Sequence, residues 1–476
     1  MKKTFLTIFC FSLLLASCEV DEGLNIDQKN PTEVPGSGLF TNATRNFFDL
    51  MQSASVNFNV FRLYSQYWAQ TTYPDESQYN QVTRNISANM WNTIYRDVLQ
   101  DLKGARESLI ANEADNLDNK LAVIEFMEVY SYSFLVETFG DVPYTEALDP
   151  ENPSPVYDDA ATIYADLINR LNAAIAQMDP SAPGFEPEQD PVYNGDMTGW
   201  LKAANSLKLR MAMRLAEVDI AGVDSQAVAE DAASDLSMLI LNNEYNFGIE
   251  YLGGAPNTNP VWVSLVQSGR TDFVGANTFV DVLKDLDDPR LEEYFQTVGG
   301  EYTGGVYGTA NSPSSFSLPG EPLYDPTLPG NIITASEVYF LLAEAAARGY
   351  TVGGTTEEFF EEGVVASVLE WNAASEEEAE AYASRAWTET PGDALAKVAY
   401  QKWIALYNNG FEGWTVYRLF DDALPLNAPP EMSLEDIPTR FLYPTTEATL
   451  NPSGYGAAST AIGGDTKATR LFFDVE

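Results

Sequence analysis

Two stretches of the chain combine the side chains that recognise polyhydroxylated ligands. Tyr73-Pro74-Asp75-Glu76-Ser77-Gln78-Tyr79-Asn80 sets two aromatic rings among carboxylates and amides on a turn-rich segment. Asn259-Pro260-Val261-Trp262, leading into Arg270-Thr271-Asp272-Phe273, is a second polar–aromatic cluster. Sugars are held by flat rings against their C–H faces, while amides and charged groups bond their hydroxyls. The candidate ligand contacts are therefore Tyr73, Asp75, Tyr79, Asn80, Trp262, Arg270, Asp272 and Phe273. The plainer reading stands beside this one. The chain has 25 Tyr, 25 Phe and 8 Trp, so most of its rings must serve the core. For Arg270 and Asp272 the preferred reading is a mutual structural pair.

Catalytic chemistry is poorly provided for. The sequence has no histidine, which removes His-based triads, His metal sites and the usual general base near neutral pH. It has 70 acidic residues, so chance carboxylate pairs are certain and carry no weight by themselves. A helical glycosidase using two carboxylates is the enzymatic alternative, but no catalytic residue and no cofactor is assigned. The net charge of −44 repels phosphate and excludes nucleic acid as a partner. A structural Ca²⁺ is compatible with so many carboxylates, although no EF-hand loop is present and no metal site can be named.

One cysteine has a defined chemistry. Lys2 and Lys3 precede an apolar stretch, Phe5 to Leu15, that is too short to span a bilayer. Leu15-Ala16-Ser17-Cys18 then looks like a bacterial lipobox, in which Cys18 becomes the first mature residue and carries lipid. Two or more acyl chains hold a protein firmly to a membrane. An ordinary cleaved signal with a chance cysteine is the alternative. With Cys10 lost in the signal and Cys18 lipidated, the body has no disulfide and must rest on buried apolar area.

The elements that must carry these groups are helices. Trp91, Ile94, Tyr95, Val98, Leu102, Ala105 and Leu109 recur at three-to-four spacing and predict a helix over 89–110. Residues 120–138 are apolar nearly all round and predict a buried helix, ended by Gly140 and Pro143. Further helices are expected at 158–177, 197–217, 227–242, 276–286, 334–348, 356–371 and 393–408. Several fall in antiparallel-looking pairs of tetratricopeptide character, so the expected fold is all-α. Residues 243–275, 296–332 and 421–475 resist helix assignment and are expected to form the outward, function-bearing face. The chain divides into a signal at 1–17, a lipidated tether and N-terminal segment at 18–45, and a helical body at 46–476.

Four segments now point in one direction. Phe139-Gly-Asp-Val-Pro-Tyr144 resembles a helix-ending FGDxPY turn. Ile333-Thr-Ala-Ser-Glu-Val-Tyr-Phe-Leu-Leu-Ala-Glu-Ala345 resembles a TxxExxxLxAEA helix. Gln401 to Trp414, running on to Arg418, resembles a late helix followed by NGxExW, and Tyr443-Pro-Thr-Thr-Glu447 with Asn451-Pro452 resembles a YPxxE…N ending. Their order and their company with a lipobox resemble the SusD/RagB family of Bacteroidetes surface lipoproteins. That resemblance implies four tetratricopeptide-like helix pairs with an irregular ligand-bearing part. It implies a lipid-anchored protein on the outer membrane, facing the cell exterior. Such a protein captures a glycan or oligosaccharide, in some cases a peptide, and passes it to a SusC-like TonB-dependent β-barrel transporter. The acidic Glu19-Val20-Asp21-Glu22 is similar to surface-export signals of that phylum. A structural cap with no ligand site of its own is a further alternative. Within these segments, Glu337 and Glu344 share a helix face and are expected to bond a neighbouring loop. Glu412 and Arg418 are expected to clamp the late loop together.

Overall fold

The computed structural model of the chain describes residues 34–475. Cys18, the signal and most of the tether lie outside the described residues. Helix α1, Gly36–Gln52, opens the body and buries Phe40, Ala43, Phe47 and Phe48. Residues 36–45, read from sequence as part of the tether segment, thus belong to this helix. Helix α2 runs from Ile86–Asn92 through a π-helical turn, Thr93–Leu99, into Gln100–Ala111. Helix α3, Leu117–Phe139, is buried nearly all round, as its composition predicts. Gly140 stops it at φ +89°, a conformation that costs glycine nothing. Then come α4, Ala160–Gln177; α5, Met197–Arg214; α6, Ser225–Ala232; α7, Asn277–Asp285; and α8, Ala335–Ala347. Helices α9, Thr356–Glu370; α10, Glu376–Glu389; α11, Ala394–Ala405; α12, Gly410–Phe420; and α13, Pro452–Ala461 complete the set.

The starts follow ordinary capping chemistry. The side chains of Asp159, Asp196 and Asp393 accept from backbone N–H groups in the first turns of α4, α5 and α11. Thr355 with Glu358, and Ser375 with Glu378, form capping boxes on α9 and α10. Consecutive helices pack pairwise, α3 on α4, α8 on α9 and α9 on α10, and α8 also packs on α11. This is the expected all-α, tetratricopeptide-like arrangement. The strands are short. Strand β1, Trp68–Gln70, pairs antiparallel with β3, Phe273–Gly275; β2, Phe247–Ile249, pairs antiparallel with β4, Gly330–Ile333.

The sequence reading missed α10, whose buried stripe of Ala379, Tyr382, Ala383 and Ala386 is small-residue rich and gives little hydrophobic contrast. It also overran α6, which ends at Ala232 before a short turn capped by Asp235. Helix α13 lies inside the 421–475 stretch, started by the Asn451 side chain and Pro452.

The interior is crossed by charge. Arg210 and Arg214 are four residues apart on α5, so they leave the same helix face. Arg210 donates from Nε and Nη2 to the two oxygens of Glu337 on α8, at 2.7 and 2.6 Å. Arg214 pairs with Glu412 on α12, and its Nε reaches Glu137 on α3 at 3.2 Å. Tyr164 of α4 donates to the other Glu137 oxygen at 2.8 Å. Five helices are tied through side chains that are all buried. Burial pushes the Glu412 carboxyl up, but Arg210 and Arg214 outweigh it and hold it at about 2.

Two expectations are corrected here. Glu337 and Glu344 do not bond a loop: Glu337 meets helical Arg210, and Glu344 meets Arg348 at 3.1 Å and Lys402 at 3.9 Å. Glu412 and Arg418 do not pair with each other. Arg418 points along the opposite side of α12, donates to the carbonyl of Glu137 and to Thr415, and stacks 3.7 Å from the Trp414 ring centroid. Residues 412 and 418 are six apart, which turns their side chains away from one another on a helix.

Removing one member of this lattice leaves an uncompensated buried charge. Glu337→Ala is expected to cost about 3–5 kcal/mol of unfolding free energy, read from urea denaturation. The Glu412 contribution is complete above the ordinary value of 4.5 and is lost as pH falls toward about 2. Urea midpoints measured down that range are therefore expected to drop.

Candidate ligand-binding site

The two polar–aromatic stretches meet because β1 and β3 pair. The register sets Trp68 opposite Gly275, Ala69 opposite Val274 and Gln70 opposite Phe273. Beyond the strands the pairing continues: Thr71 N–H donates to the Asp272 carbonyl at 2.9 Å, and its hydroxyl to the Thr271 carbonyl at 2.6 Å. The loop that leaves β1 and the loop that enters β3 thus lie side by side. Between them and the 54–57 turn after α1 is a cavity of 210 Å³, walled by Asn57, Gln70, Tyr73, Arg84, Arg270 and Asp272 among others.

Tyr73 is 69% exposed and stands at the rim. Its backbone has φ +53°, which is uncommon for a non-glycine residue. Arg270 donates to both oxygens of Asp272, at 2.8 and 3.0 Å, so the pair is the bidentate one anticipated as structural. Both nevertheless line the cavity. Hydrogen bonding to Asp272 raises the Arg270 guanidinium above its ordinary value, so it stays charged. Phe273 is buried in the floor, its ring 5.1 Å from Trp68.

The other four candidates do not wall this cavity. Tyr79 is 3% exposed, packed edge-on against Tyr64 at 5.6 Å with the Lys467 ammonium 5.5 Å from its ring. It has no free face for a sugar, and burial raises its hydroxyl pKa. Asn80 spends its side-chain oxygen on the N–H groups of Val82 and Thr83 and is a turn residue. The Asp75 carbonyl accepts from Asn80 N–H in the same turn. Trp262 is half-buried in a short helical turn started by the Asn259 side chain, away from the cavity wall.

Four contributors stand outside the sequence candidates: Glu76, Gln70, Arg84 and Asn57. Glu76, buried, takes the Nε of Arg84 and, through its other oxygen, the Gln70 amide at 2.6 Å. Gln70 in turn accepts from Ser77 N–H and hydroxyl, at 2.9 and 2.6 Å. This chain holds Arg84 at the wall with its Nη groups available to a ligand. The signal was present, since Arg84 is the only basic residue between Arg62 and Arg96. Asn57 comes from the turn after α1 and left no local mark. Among the described residues, no group of three or more carboxylates is arranged to hold a metal ion.

The comparisons with known proteins agree with this architecture. Residues 28–444 match a family profile described as SusD-like, starch-binding and associating with the outer membrane. No curated protein matches the chain in sequence. A chitin-binding SusD homologue from Flavobacterium johnsoniae superposes with a TM-score of 0.77 at 23% identity, covering 92% of this chain and 99% of that one. A SusD homologue from Bacteroides ovatus gives 0.76 at 24% identity over 92% and 99% of the two chains. Another, from Bacteroides thetaiotaomicron, gives 0.75 at 22% identity over 93% and 100%. At these identities the superpositions speak for the fold, while the profile spans most of the sequence; the chain belongs to the SusD-like family.

Proposed function

We propose that this protein is a surface lipoprotein that captures a glycan or oligosaccharide in the Tyr73–Arg270 cavity and hands it to a SusC-like TonB-dependent β-barrel. One observation carries the ligand site: two loops about two hundred residues apart converge on one cavity that offers an exposed tyrosine face, two arginines, Gln70 and Asn57. In a chain of net charge −44, two guanidiniums beside one exposed ring mark a local environment unlike the general surface. Tyr73 would stack on a sugar ring, and Arg84, Arg270 and the amides would bond its hydroxyls. Membership of a family described as starch-binding supports a carbohydrate ligand, as does the chitin-binding homologue of the same fold.

Binding is favoured over catalysis by the carboxylates. Asp272 is the only acid on this wall, and both its oxygens are engaged by Arg270. A glycosidase needs two carboxyl groups flanking the scissile bond. Anchoring through Cys18 and delivery to a barrel rest on the lipobox and on the family's association with the outer membrane.

The purified mature protein is expected to retain oligosaccharides without cleaving them. Tyr73→Ala is expected to weaken retention by about tenfold or more, the loss of an aromatic anchor, while changing stability by no more than ~0.5 kcal/mol. Tyr79→Ala is expected to cost about 3–5 kcal/mol of stability, as for a truncated core ring. Titration calorimetry and urea unfolding separate the two, and wild-type affinity in the Tyr73 variant would overturn the site. Cys18→Ser is expected to leave a folded protein that washes off membranes in high salt; continued membrane fractionation would refute the anchor. A pull-down from outer membranes that recovers no β-barrel would count against the partnership.

A further inference from the structure

A second cavity, also of 210 Å³, lies beside the C-terminal ends of α9 and α11 and shares no residue with the first. Its walls include Glu293, Asn331, Glu370, Trp371, Asn372 and Asn408. Two of these are carboxylates, and no lysine or arginine is among the lining residues. Buried Glu76, Glu137, Glu337, Glu344, Glu412 and Asp288 each meet an arginine, and buried Asp190, which has none, has both oxygens filled by Trp200 Nε1 and backbone N–H groups. Glu370 instead accepts only from amides: Asn331 Nδ2 at 2.9 Å and Asn246 Nδ2 at 3.4 Å, both on Oε1. Its Oε2 is left for the cavity.

A carboxylate held this way is short of a counter-charge. Burial lifts the Glu370 carboxyl to about 7, and the Asn331 hydrogen bond only partly offsets it. Burial also raises Glu293 across the cavity. Tyr294, whose ring sits edge-on to Trp371 at 5.0 Å, is kept neutral by its own burial. The arrangement would be relieved by a cation. A hard metal ion is poorly served, because among the described residues no group of three or more acids is arranged to hold one. An ammonium needs three acceptors and gains further from an adjacent tryptophan ring.

We propose that this cavity binds a small polar molecule bearing an ammonium group. Glu370 is its counter-ion, Trp371 its aromatic wall, and the Asn372 amide bonds its hydroxyl or carbonyl groups. The inference is independent of the glycan reading, since no residue is shared.

Serinol and glycerol form a suitable probe pair, because they differ only by an ammonium in place of a hydroxyl. Titration calorimetry on the mature protein is expected to show saturable serinol binding, about tenfold tighter than glycerol, the scale of one charge-assisted hydrogen bond. Glu370→Gln, which keeps the shape and the Oε1 acceptor, is expected to abolish that preference while Tyr73→Ala leaves it intact. On the wild type, the preference is expected to weaken from about pH 8 to about pH 6 as Glu370 takes up its proton. This second measurement decides the matter if the variant does not fold. Equal binding of the two probes, no saturation by serinol, a preference that survives Glu370→Gln, or a flat pH profile would each overturn the proposal.

Discussion

Arg210 and Arg214 hold the helical body to one geometry. Burying two guanidiniums and three carboxylates costs several kcal/mol per ion, and their mutual attraction only repays that when the geometry is right. An apolar core of the same volume would tolerate sliding between helices; fork-shaped pairs do not, because a small shift strands a charge. α5 can therefore meet α3, α8 and α12 in only one register. The residues of the late segment serve the same joint. A Cβ on Gly410 would stand 2.5 Å from the Arg62 nitrogen, and one on Gly413 would stand 2.2 Å from the Tyr67 hydroxyl. Only glycine at these positions lets α12 lie this close to the 61–67 segment.

The Phe139–Tyr144 turn works in the same manner at the C-terminal end of α3, directly after Glu137. Gly140 ends the helix, Asp141 accepts from Ala160 N–H at the start of α4, and the Asp141 carbonyl accepts from the Tyr443 hydroxyl at 2.8 Å. Pro143 offers its carbonyl to Tyr95 of α2 at 2.6 Å. Each recognisable segment is thus a joint between helices rather than a ligand contact. The scaffold they stiffen is what allows short strands to present loops. β1 and β3 have three residues each and would not persist alone. They hold because Trp68, Val274 and Phe273 are set into a core already fixed by helices.

The two cavities differ in the way that matters for ligands. One pairs an exposed ring with arginines, the other pairs a tryptophan with unpaired carboxylates. Their volumes are alike, so charge and hydrogen-bonding capacity, not size, separate what each would accept. The Glu76–Arg84 pair and the lone Glu370 show the same logic from opposite sides. A carboxylate given an arginine positions that arginine; one left without a cation becomes an acceptor for something else.

Much of this was legible in the residues themselves. The absence of histidine, the three-to-four spacing over α2, the all-round apolarity of α3 and the glycine and proline that end it are local properties, and local physics decides them. The order of the four family segments likewise needs no coordinates. The partners of Glu337 and Glu412 were not legible, because ion pairs between α5, α8 and α12 join positions about two hundred residues or fewer apart with no pattern linking them. Nor was the fate of two tyrosines in one loop. Tyr73 and Tyr79 are equivalent as residue types, yet one stands at a rim and the other fills the core. Sequence alone established that aromatic and charged groups were available on turn-rich segments; the β1–β3 register and the turn between those tyrosines decided which of them face water, because a side chain's direction in an irregular loop is set by long-range packing and not by its neighbours.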